Sequence, residues 1–169
     1  KKILVHGGGK LATRLAEQLG VEQKLVDGRR ITDAETLKIV TMVYAGYINK
    51  NIAAQLQAND CNAIGLSGAD GNAILAHKRT TGDYGFAGDI DAVNTILLND
   101  LLQTHDAVVL APITHDGKGQ LLNTNADTIA SAVAVALGAA LDVTLHFCFE
   151  KNGVLRDVSD DSSVIPQID

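Results

Sequence analysis

The sequence predicts an α/β protein in which a mainly parallel, open β-sheet lies between two layers of helices. Apolar strand-like runs alternate with helix-like runs along most of the chain, an order typical of parallel sheets that are covered on both faces. Two further pairs of short runs flank turn residues and predict β-hairpins. The expected fold class is therefore a three-layer αβα sandwich with a mainly parallel open sheet plus β-hairpins.

The chain opens with a strand, a glycine-rich turn and a helix. Lys2–Val5 is a short apolar run, and Gly7–Gly9 follow it. Lys10–Leu19 has helical spacing, and Gly20 is a typical helix stop. Such a turn can bring backbone N–H groups and a helix N-terminus to an anion, because glycines let a ligand approach the backbone. Tight packing of the helix on the strand is the alternative explanation for the glycines.

A hairpin and a long helix come next. The run "KLVDGRRI" predicts two strands joined by a two-residue turn at Asp27-Gly28. Thr32 is predicted to open the helix, with Glu35 at the capping-box position. Apolar residues then keep helical spacing to about Ala58, and they give this helix more apolar surface than one side of a sheet needs.

The middle of the chain continues the alternation. The run "NAIGLSG" predicts a buried strand, and "AILAHKR" and "YGFAGDI" bracket "TTGD" as a second hairpin. Asp91 is predicted to cap a helix that runs through Leu102, and "AVVLAP" predicts another apolar strand.

The last part holds a turn, a helix and a strand. These are "THDGKGQ", Asn123–Leu137 closed by Gly138, and "DVTLHFCF". At the strand-to-helix junction, Asn123, Asn125 and Asp127 alternate, a spacing that can point two amides and a carboxylate toward one crevice beyond the strand ends. Since one of the three would suffice as a helix cap, simple capping is the alternative.

Composition bounds the class of protein. Apolar residues make up 46% of the 169 residues and charged residues 20%, which is ordinary for a soluble globular domain. The net charge of -6 gives no basic footprint for nucleic acid, and no apolar run reaches membrane-spanning length. Cys61 and Cys148 lie far apart in apolar surroundings, so we expect reduced core cysteines, a cytoplasmic protein, and no nucleic-acid or membrane partner.

Several common site motifs do not fit. A Walker A loop fails because Leu11 follows Lys10, and a dinucleotide fingerprint fails because no third glycine follows Gly7 and Gly9. The five histidines are scattered, and no zinc spacing or Gly-x-Ser-x-Gly motif occurs. We therefore predict no protein-bound metal site and no nucleophilic triad. An arginine after the Asp27-Gly28 turn suits bidentate binding of a carboxylate.

Motifs spread over nearly the whole chain occur in one order: "VHGGG", "DGRRIT", "INKNI", "GLSGADG", "YGFAGDI" and "APITHDGKGQLLNTNAD". Together they resemble the amino-acid kinase family, and "GRRIT" and "LNTNAD" resemble its branch that acts on acylglutamates. The resemblance implies the amino-acid kinase fold. It also implies ATP-dependent phosphorylation of the γ-carboxylate of an N-acyl-L-glutamate in arginine biosynthesis, with ATP and Mg²⁺ bound through the nucleotide.

The resemblance also implies roles for single residues. Main-chain N–H groups of the glycine turn would hold the reacting end of the acylglutamate. Arg30, rather than Arg29, matches the arginine that grips the α-carboxylate, and Asp127 matches the catalytic aspartate that organises lysines. The expected substrate-binding residues are Gly8, Gly9, Arg30, Asn123 and Asn125.

The family pattern further implies two domains and a homodimer. Residues 1–141 would bind the acylglutamate and dimerise through the helix from Thr32 to Ala58, and residues 142–169 would start a nucleotide-binding domain. The family's first strand and both catalytic lysines have no match here, so the chain is expected to be cut at both ends and inactive alone. The segment "FCFEKNGVL" also lacks the aspartate that the family carries there.

Other functions stay open. Within the family these are UMP kinase, carbamate kinase, aspartokinase and glutamate 5-kinase. From other classes, a non-catalytic amino-acid-binding module is the main alternative. A nicotinamide-dependent dehydrogenase is disfavoured by the broken fingerprint.

Overall fold

A computed structural model describes residues 1–26, 29–148, 150–157 and 159–167, with the backbone alone for 24–26 and 29. The strands are β1 (Lys2–Val5), β2 (Lys24–Val26), β3 (Arg29–Ile31), β4 (Ala63–Leu66), β5 (Ile74–Lys78), β6 (Gly88–Val93), β7 (Ala107–Leu110), β8 (Ile113–His115) and β9 (Leu121–Asn123). The helices are α1 (Gly9–Gln18), α2 (Ala34–Thr41), α3 (Asn49–Gln57), α4 (Thr95–Thr104) and α5 (Ala126–Gly138), with a π-helix over Met42–Ile48 and a short 3-10 turn over Asp70–Asn72.

The central sheet confirms the predicted fold class. Its strand order is β1-β7-β4, and both neighbouring pairs run parallel. α4 and α5 pack on this sheet from one side, and α3 packs on it from the other. The middle strand is fully buried, with Val108, Val109 and Leu110 all 0% exposed. Because the strands are parallel, their carboxyl ends meet at one edge, where open α/β sheets bind ligands.

A second sheet stands beside the first, in the order β6-β5-β8-β9. β5 and β6 are antiparallel, as the second predicted hairpin requires, and residues 79–87 join them. β8 and β9 flank the predicted "THDGKGQ" turn and pair with each other. These two strands were not predicted, because three residues are too few to show a period of two.

The long helix begins one residue later than predicted. Asp33, not Thr32, is the N-cap, and its carboxylate accepts a hydrogen bond from the Thr36 N–H at 2.8 Å. Thr32 is fully buried and forms a β-bridge with Gly85. The capping box is therefore wrong, and Glu35 instead forms an ion pair with Lys38 at 2.7 Å.

Inside that helix, the backbone switches to a π-helix over Met42–Ile48 before α3 resumes at Asn49. The spacing of apolar residues did not indicate this change. A π-helical turn inside an α-helix is frequent at functional sites because it shifts which side chains face the core. Asn49 comes directly after it and is fully buried.

Two other helix starts are corrected. Asp91 lies in β6 and hydrogen-bonds His77 at 2.6 Å, and Asn94 caps α4 by accepting from the Leu97 N–H. Asn123 lies in β9, and α5 starts at Ala126. Polar side chains at several neighbouring positions were all plausible caps, and the strand pairing decided between them.

The predicted strand "DVTLHFCF" is wrong for residues 142–148, which form no strand and are exposed. An apolar run becomes a strand only beside a free sheet edge, and no described strand pairs with it.

Phe149 lies outside the described residues, as do Asp27 and Gly28 of the first hairpin turn, although β2 and β3 are antiparallel as predicted. Cys148 is exposed, so its predicted core position is also wrong.

No helix within the described ranges combines the length and the apolar character needed to cross a membrane.

Candidate functional site

The glycine turn between β1 and α1 serves packing at one position and leaves open space at the others. A Cβ on Gly8 would lie 2.5 Å from Ile48 Cδ1 and 2.7 Å from Tyr44 Cδ1. A Cβ on Gly7 would meet nothing within 4 Å, and one on Gly9 only the Arg30 guanidinium at 4.0 Å. The two explanations of the glycines therefore both apply, to different residues.

The turn leads directly into a helix N-terminus. Gly8 is the N-cap of α1, and its carbonyl accepts from the N–H groups of Leu11 and Ala12 at 3.1 and 3.0 Å. Among the side chains that the structure describes, none caps the helix. The first-turn N–H groups and the helix dipole therefore favour an anion at this end.

Arg30 lies against the turn. Its Nη2 donates to the Gly9 carbonyl at 3.2 Å and to Thr13 Oγ1 at 2.9 Å, and its Nη1 donates to Gln23 Oε1. Gln23 is held in turn by Thr36, whose Oγ1 accepts from Nε2 at 3.1 Å. Within the described part of the chain, Arg30 forms no ion pair. Since its partners here are neutral oxygens, a carboxylate would be a stronger partner for this cation.

The buried titratable groups beside the turn are neutral at pH 7. Burial lowers the pKa of His6, and its hydrogen bond to the Gly7 carbonyl opposes that shift only in part. Burial raises the pKa of Tyr44, and the nearby Arg30 opposes that shift. The positive charges at the turn therefore belong to Arg30 and to Lys10, and Lys10 forms an ion pair with Glu150 at 2.6 Å.

The polar residues of the predicted strand-to-helix junction have different contacts. Asn123 Nδ2 donates to Thr32 Oγ1 at 3.0 Å, which places Asn123 beside the strand that carries Arg30. Asn125 is the N-cap of α5, and its Oδ1 accepts from the Thr128 N–H at 2.9 Å. The capping explanation thus holds for Asn125.

Asp127 lies in the first turn of α5 and is exposed. It lines an open cavity of about 400 Å³ together with Phe147, Cys148 and Val154. No hydrogen bond joins it to Arg30 or to the glycine turn among the described residues. The structure thus brings Gly8, Gly9 and Arg30 together and sets Asn123 beside them through Thr32. It makes Asn125 the cap of α5 and places Asp127 at the cavity lined by Phe147, Cys148 and Val154.

The sequence did not predict the two backbone hydrogen bonds that hold Thr32. Its N–H donates to the Tyr84 carbonyl at 3.1 Å, and its carbonyl accepts from the Phe86 N–H at 2.6 Å. Gly85 between them has a φ of +64°, and a Cβ there would overlap the Thr32 carbonyl. Gly85 is recognisable in "YGFAGDI" as a turn-type residue, but the sequence does not show which backbone segment it approaches.

Gly85→Ala is expected to destabilise the protein by at least about 3 kcal/mol, since left-handed strain and steric overlap add together. Gly119→Ala is the matched control, because Gly119 has a φ of +103° but open space around its Cβ. That control is expected to cost only about 1–2 kcal/mol. Urea unfolding of both variants measures the difference, and equal losses would show that the contact with Thr32 is unimportant.

His6 is expected to make stability depend on pH. Its pKa in the folded state lies below its unfolded value of about 6.5, so between the two values the unfolded chain binds more protons and stability falls with falling pH. His6→Gln cannot titrate. The Tm advantage of the parent over this variant should therefore shrink from about pH 7.5 to about pH 5.5. Parallel Tm curves would show that His6 is not desolvated.

Groups of three or more His, Cys, Asp or Glu side chains able to hold a metal ion are absent from the part of the chain that the structure describes.

Comparison with known proteins identifies the family. The profile described as the amino acid kinase family matches residues 1–169. An acetylglutamate kinase from Bacteroides fragilis is 62% identical, and the match covers 99% of this chain and 65% of that relative. The chain thus spans just under two thirds of the length of this curated relative.

Solved structures agree. The smu.665 protein from Streptococcus mutans has a TM-score of 0.74 at 28% identity, over 80% of this chain and 56% of that one. An N-acetylglutamate synthase from Neisseria gonorrhoeae, solved with coenzyme A and N-acetyl-glutamate, has a TM-score of 0.63 at 26% identity, over 80% and 31% of the two chains. With the profile matching every residue, the resemblance seen in the motifs is confirmed, and this chain belongs to the amino acid kinase family.

Proposed function

We propose that the full-length protein is an ATP-dependent kinase that phosphorylates the γ-carboxylate of an N-acyl-L-glutamate, an acetylglutamate kinase of arginine biosynthesis. The observation that carries the proposal is the position of Arg30. Its guanidinium lies 3.2 Å from the Gly9 carbonyl, against a glycine turn that opens a helix. A dicarboxylate can thus place one carboxylate on an arginine and the other on backbone N–H groups. The name of the relative from Bacteroides fragilis supports the same substrate.

In this proposal Arg30 binds the α-carboxylate and the N–H groups of Gly8 and Gly9 face the γ-carboxylate. A γ-carboxylate with a pKa of about 4.3 is already ionised at pH 7, so attack on the γ-phosphorus of ATP needs no general base. The new bond joins a carboxylate oxygen to phosphorus, the bond to the β–γ bridging oxygen breaks, and ADP leaves. Catalysis then depends on positioning and on spreading negative charge, for which the N-terminus of α1 is suited.

The remaining site residues take proposed roles from the family pattern. Asn123 contacts the acylglutamate from the Thr32 side, and Asn125 adds a contact while it caps α5. Asp127 orients the lysines that stabilise the transferring phosphoryl group. ATP enters with Mg²⁺ bound through the nucleotide.

The wider organisation is also proposed. Residues 1–141 form the acylglutamate-binding and dimerisation domain, and residues 142–169 start the nucleotide-binding domain of a cytoplasmic enzyme. The helical segment from Ala34 to Gln57 exposes Met42 and Tyr47, which are 54% and 65% exposed. These apolar side chains support a homodimer interface on that helix.

A panel of acceptors tests the function. The full-length protein is incubated with ATP, Mg²⁺ and, in separate reactions, N-acetylglutamate, glutamate, aspartate, carbamate or UMP, and ADP is measured. Turnover of about 1–100 s⁻¹ with N-acetylglutamate alone is the expected result. Turnover with another acceptor would assign another member of the family. Calorimetric binding of amino acids without turnover would identify a binding module instead.

The 169-residue chain alone is expected to give no turnover in the same assay. The family's lysines have no counterpart in its motifs, and positioned charges of this kind are worth several kcal/mol of barrier. Turnover at the full-length rate would show that the catalytic charges lie within these residues.

A further inference from the structure

His6, the residue before the glycine turn, contacts the buried side-chain amide of Asn49. Asn49 is 0% exposed, and its Nδ2 lies 3.0 Å from the Val109 carbonyl, 3.3 Å from the Leu66 carbonyl and 3.3 Å from His6 Nε2. These acceptors lie at or just beyond the carboxyl ends of β7, β4 and β1. One side chain thus ties together the edge of the central sheet where the site is built.

The orientation of this amide is fixed by its other end. Lys50 Nζ donates to Asn49 Oδ1 at 3.1 Å and to the Gly65 carbonyl at 2.6 Å. A flipped amide would set its oxygen against two backbone carbonyls and its N–H groups against an ammonium. Nδ2 is therefore the atom that faces Val109, Leu66 and His6, and it can only donate, with two hydrogens shared among three acceptors.

The tautomer of His6 follows. The Gly7 carbonyl can only accept, so the ring proton is on Nδ1, and Nε2 is left as an acceptor that faces Asn49 Nδ2 at 3.3 Å. Nδ1 lies 2.8 Å from the Gly7 carbonyl, to which it donates. Burial, which lowers the pKa of His6, keeps the ring neutral.

The direction of the Gly8 N–H follows from the planarity of the peptide. The Gly7 carbonyl and the Gly8 N–H belong to one trans peptide unit, in which they point in opposite directions. A carbonyl held by His6 therefore turns the Gly8 N–H away from the histidine. The other side of Gly8 is closed by Tyr44 and Ile48 of the π-helix, which leave no room for a side chain there.

We propose that Asn49 is a positioning residue for the phosphoryl-transfer site: through the neutral Nδ1–H tautomer of His6 it fixes the Gly7–Gly8 peptide so that the Gly8 N–H is aimed at the reacting carboxylate. This inference rests on the proposed function. The hydrogen-bond donors that matter most in such sites are those already aimed where charge develops, so a misdirected peptide costs rate more than binding.

Asn49→Leu tests the relay in the full-length protein, because it keeps the approximate size of the side chain and removes both the N–H donors and the oxygen. It is expected to lower kcat by about 10- to 100-fold while KM for N-acetylglutamate changes by less than about threefold. Asn51→Leu is the matched control, since Asn51 is exposed two residues further along α3. Parental kcat in Asn49→Leu, or an equal loss in Asn51→Leu, would overturn the inference.

Gly65→Ala provides a second variant that leaves the amide itself intact. A Cβ on Gly65 would overlap Asn49 Oδ1, so this change displaces the side chain. It should reproduce the kcat loss of Asn49→Leu, and the double variant should lose little more, because both changes break the same relay. Fully additive losses would contradict a shared route.

Nitrogen-15 NMR of His6 separates this inference from the proposed function. The parent should show the Nδ1–H tautomer at neutral pH, and Asn49→Leu, which leaves Nε2 without its partner, should show a mixture of the two neutral tautomers. An Nε2–H tautomer or a charged ring in the parent would overturn the relay whether or not the protein is a kinase. Absence of kinase activity with the Nδ1–H tautomer present would overturn the function alone.

Discussion

Asp127→Asn in the full-length protein is expected to lower kcat by about 100- to 1,000-fold, with KM for N-acetylglutamate changed by less than about threefold. Asp127 lies in the first turn of α5 and is exposed toward an open cavity, with no hydrogen bond to Arg30 or to the glycine turn in the described part of the chain. A carboxylate that orients lysines in the transition state, without binding the acylglutamate, should act on kcat alone.

The stabilising effect of the same carboxylate is small and separable. An acidic side chain in the first helical turn interacts with the helix dipole by about 0.3–1 kcal/mol. Asp100→Asn is the control, since Asp100 is exposed on α4. If Asp127→Asn keeps the parental kcat and loses only Tm, then Asp127 stabilises the helix and has no catalytic role.

Arg30→Ala is expected to raise KM for N-acetylglutamate by about 10- to 100-fold, because a charge-assisted pair with a carboxylate contributes roughly 1.5–3 kcal/mol. Arg30→Lys should recover only part of this, since an ammonium lacks the planar fork. KM for ATP should stay unchanged. Arg29→Ala made side by side is the control, because Arg29 is the neighbouring arginine in "GRRIT" and does not match the family's carboxylate-binding arginine. An equal or larger effect at Arg29 would overturn the assignment.

Gln23→Glu tests whether the charge of Arg30 binds the substrate, because it leaves Arg30 itself and its packing in place. Gln23 Oε1 already accepts from Arg30 Nη1, so a glutamate would supply an internal carboxylate at the same position. It should compete with the substrate and raise KM while Arg30 itself is unchanged. A parental KM in this variant would show that the guanidinium does not meet the substrate carboxylate.

The sequence predicted what local patterns encode. The glycine turn, the arginine strand and the strand-to-helix junction were each visible as motifs, and the structure brings Gly9 and Arg30 within 3.2 Å. Strand alternation with helices also predicted the parallel sheet. The start of the long helix was missed by one residue, because Thr32 is held by the backbone on both sides of Gly85, a contact between distant segments.

The burial of Asn49 shows why other parts of the site could not be predicted from the sequence. An asparagine in the middle of a polar stretch, "INKNI", is typical of a solvent-facing helix position. Its burial depends on the π-helix that precedes it and on the carbonyls of strands β4 and β7, which lie 17 and 60 positions away. The exposed run 142–148 is the opposite case, because its pattern is strand-like but it pairs with no strand among the residues that the structure describes.

Trapping of the product with hydroxylamine tests the central claim most directly. An acyl phosphate formed from N-acetylglutamate reacts with hydroxylamine to give a hydroxamate and free phosphate. Mass spectrometry then shows which carbon of the glutamate skeleton carries the hydroxamate. We expect an ATP-dependent hydroxamate at the γ-carbon from the full-length protein, and we expect Arg30→Ala to lose it at low substrate concentration. A hydroxamate at the α-carbon, or none from N-acetylglutamate while another acceptor is phosphorylated, would contradict it.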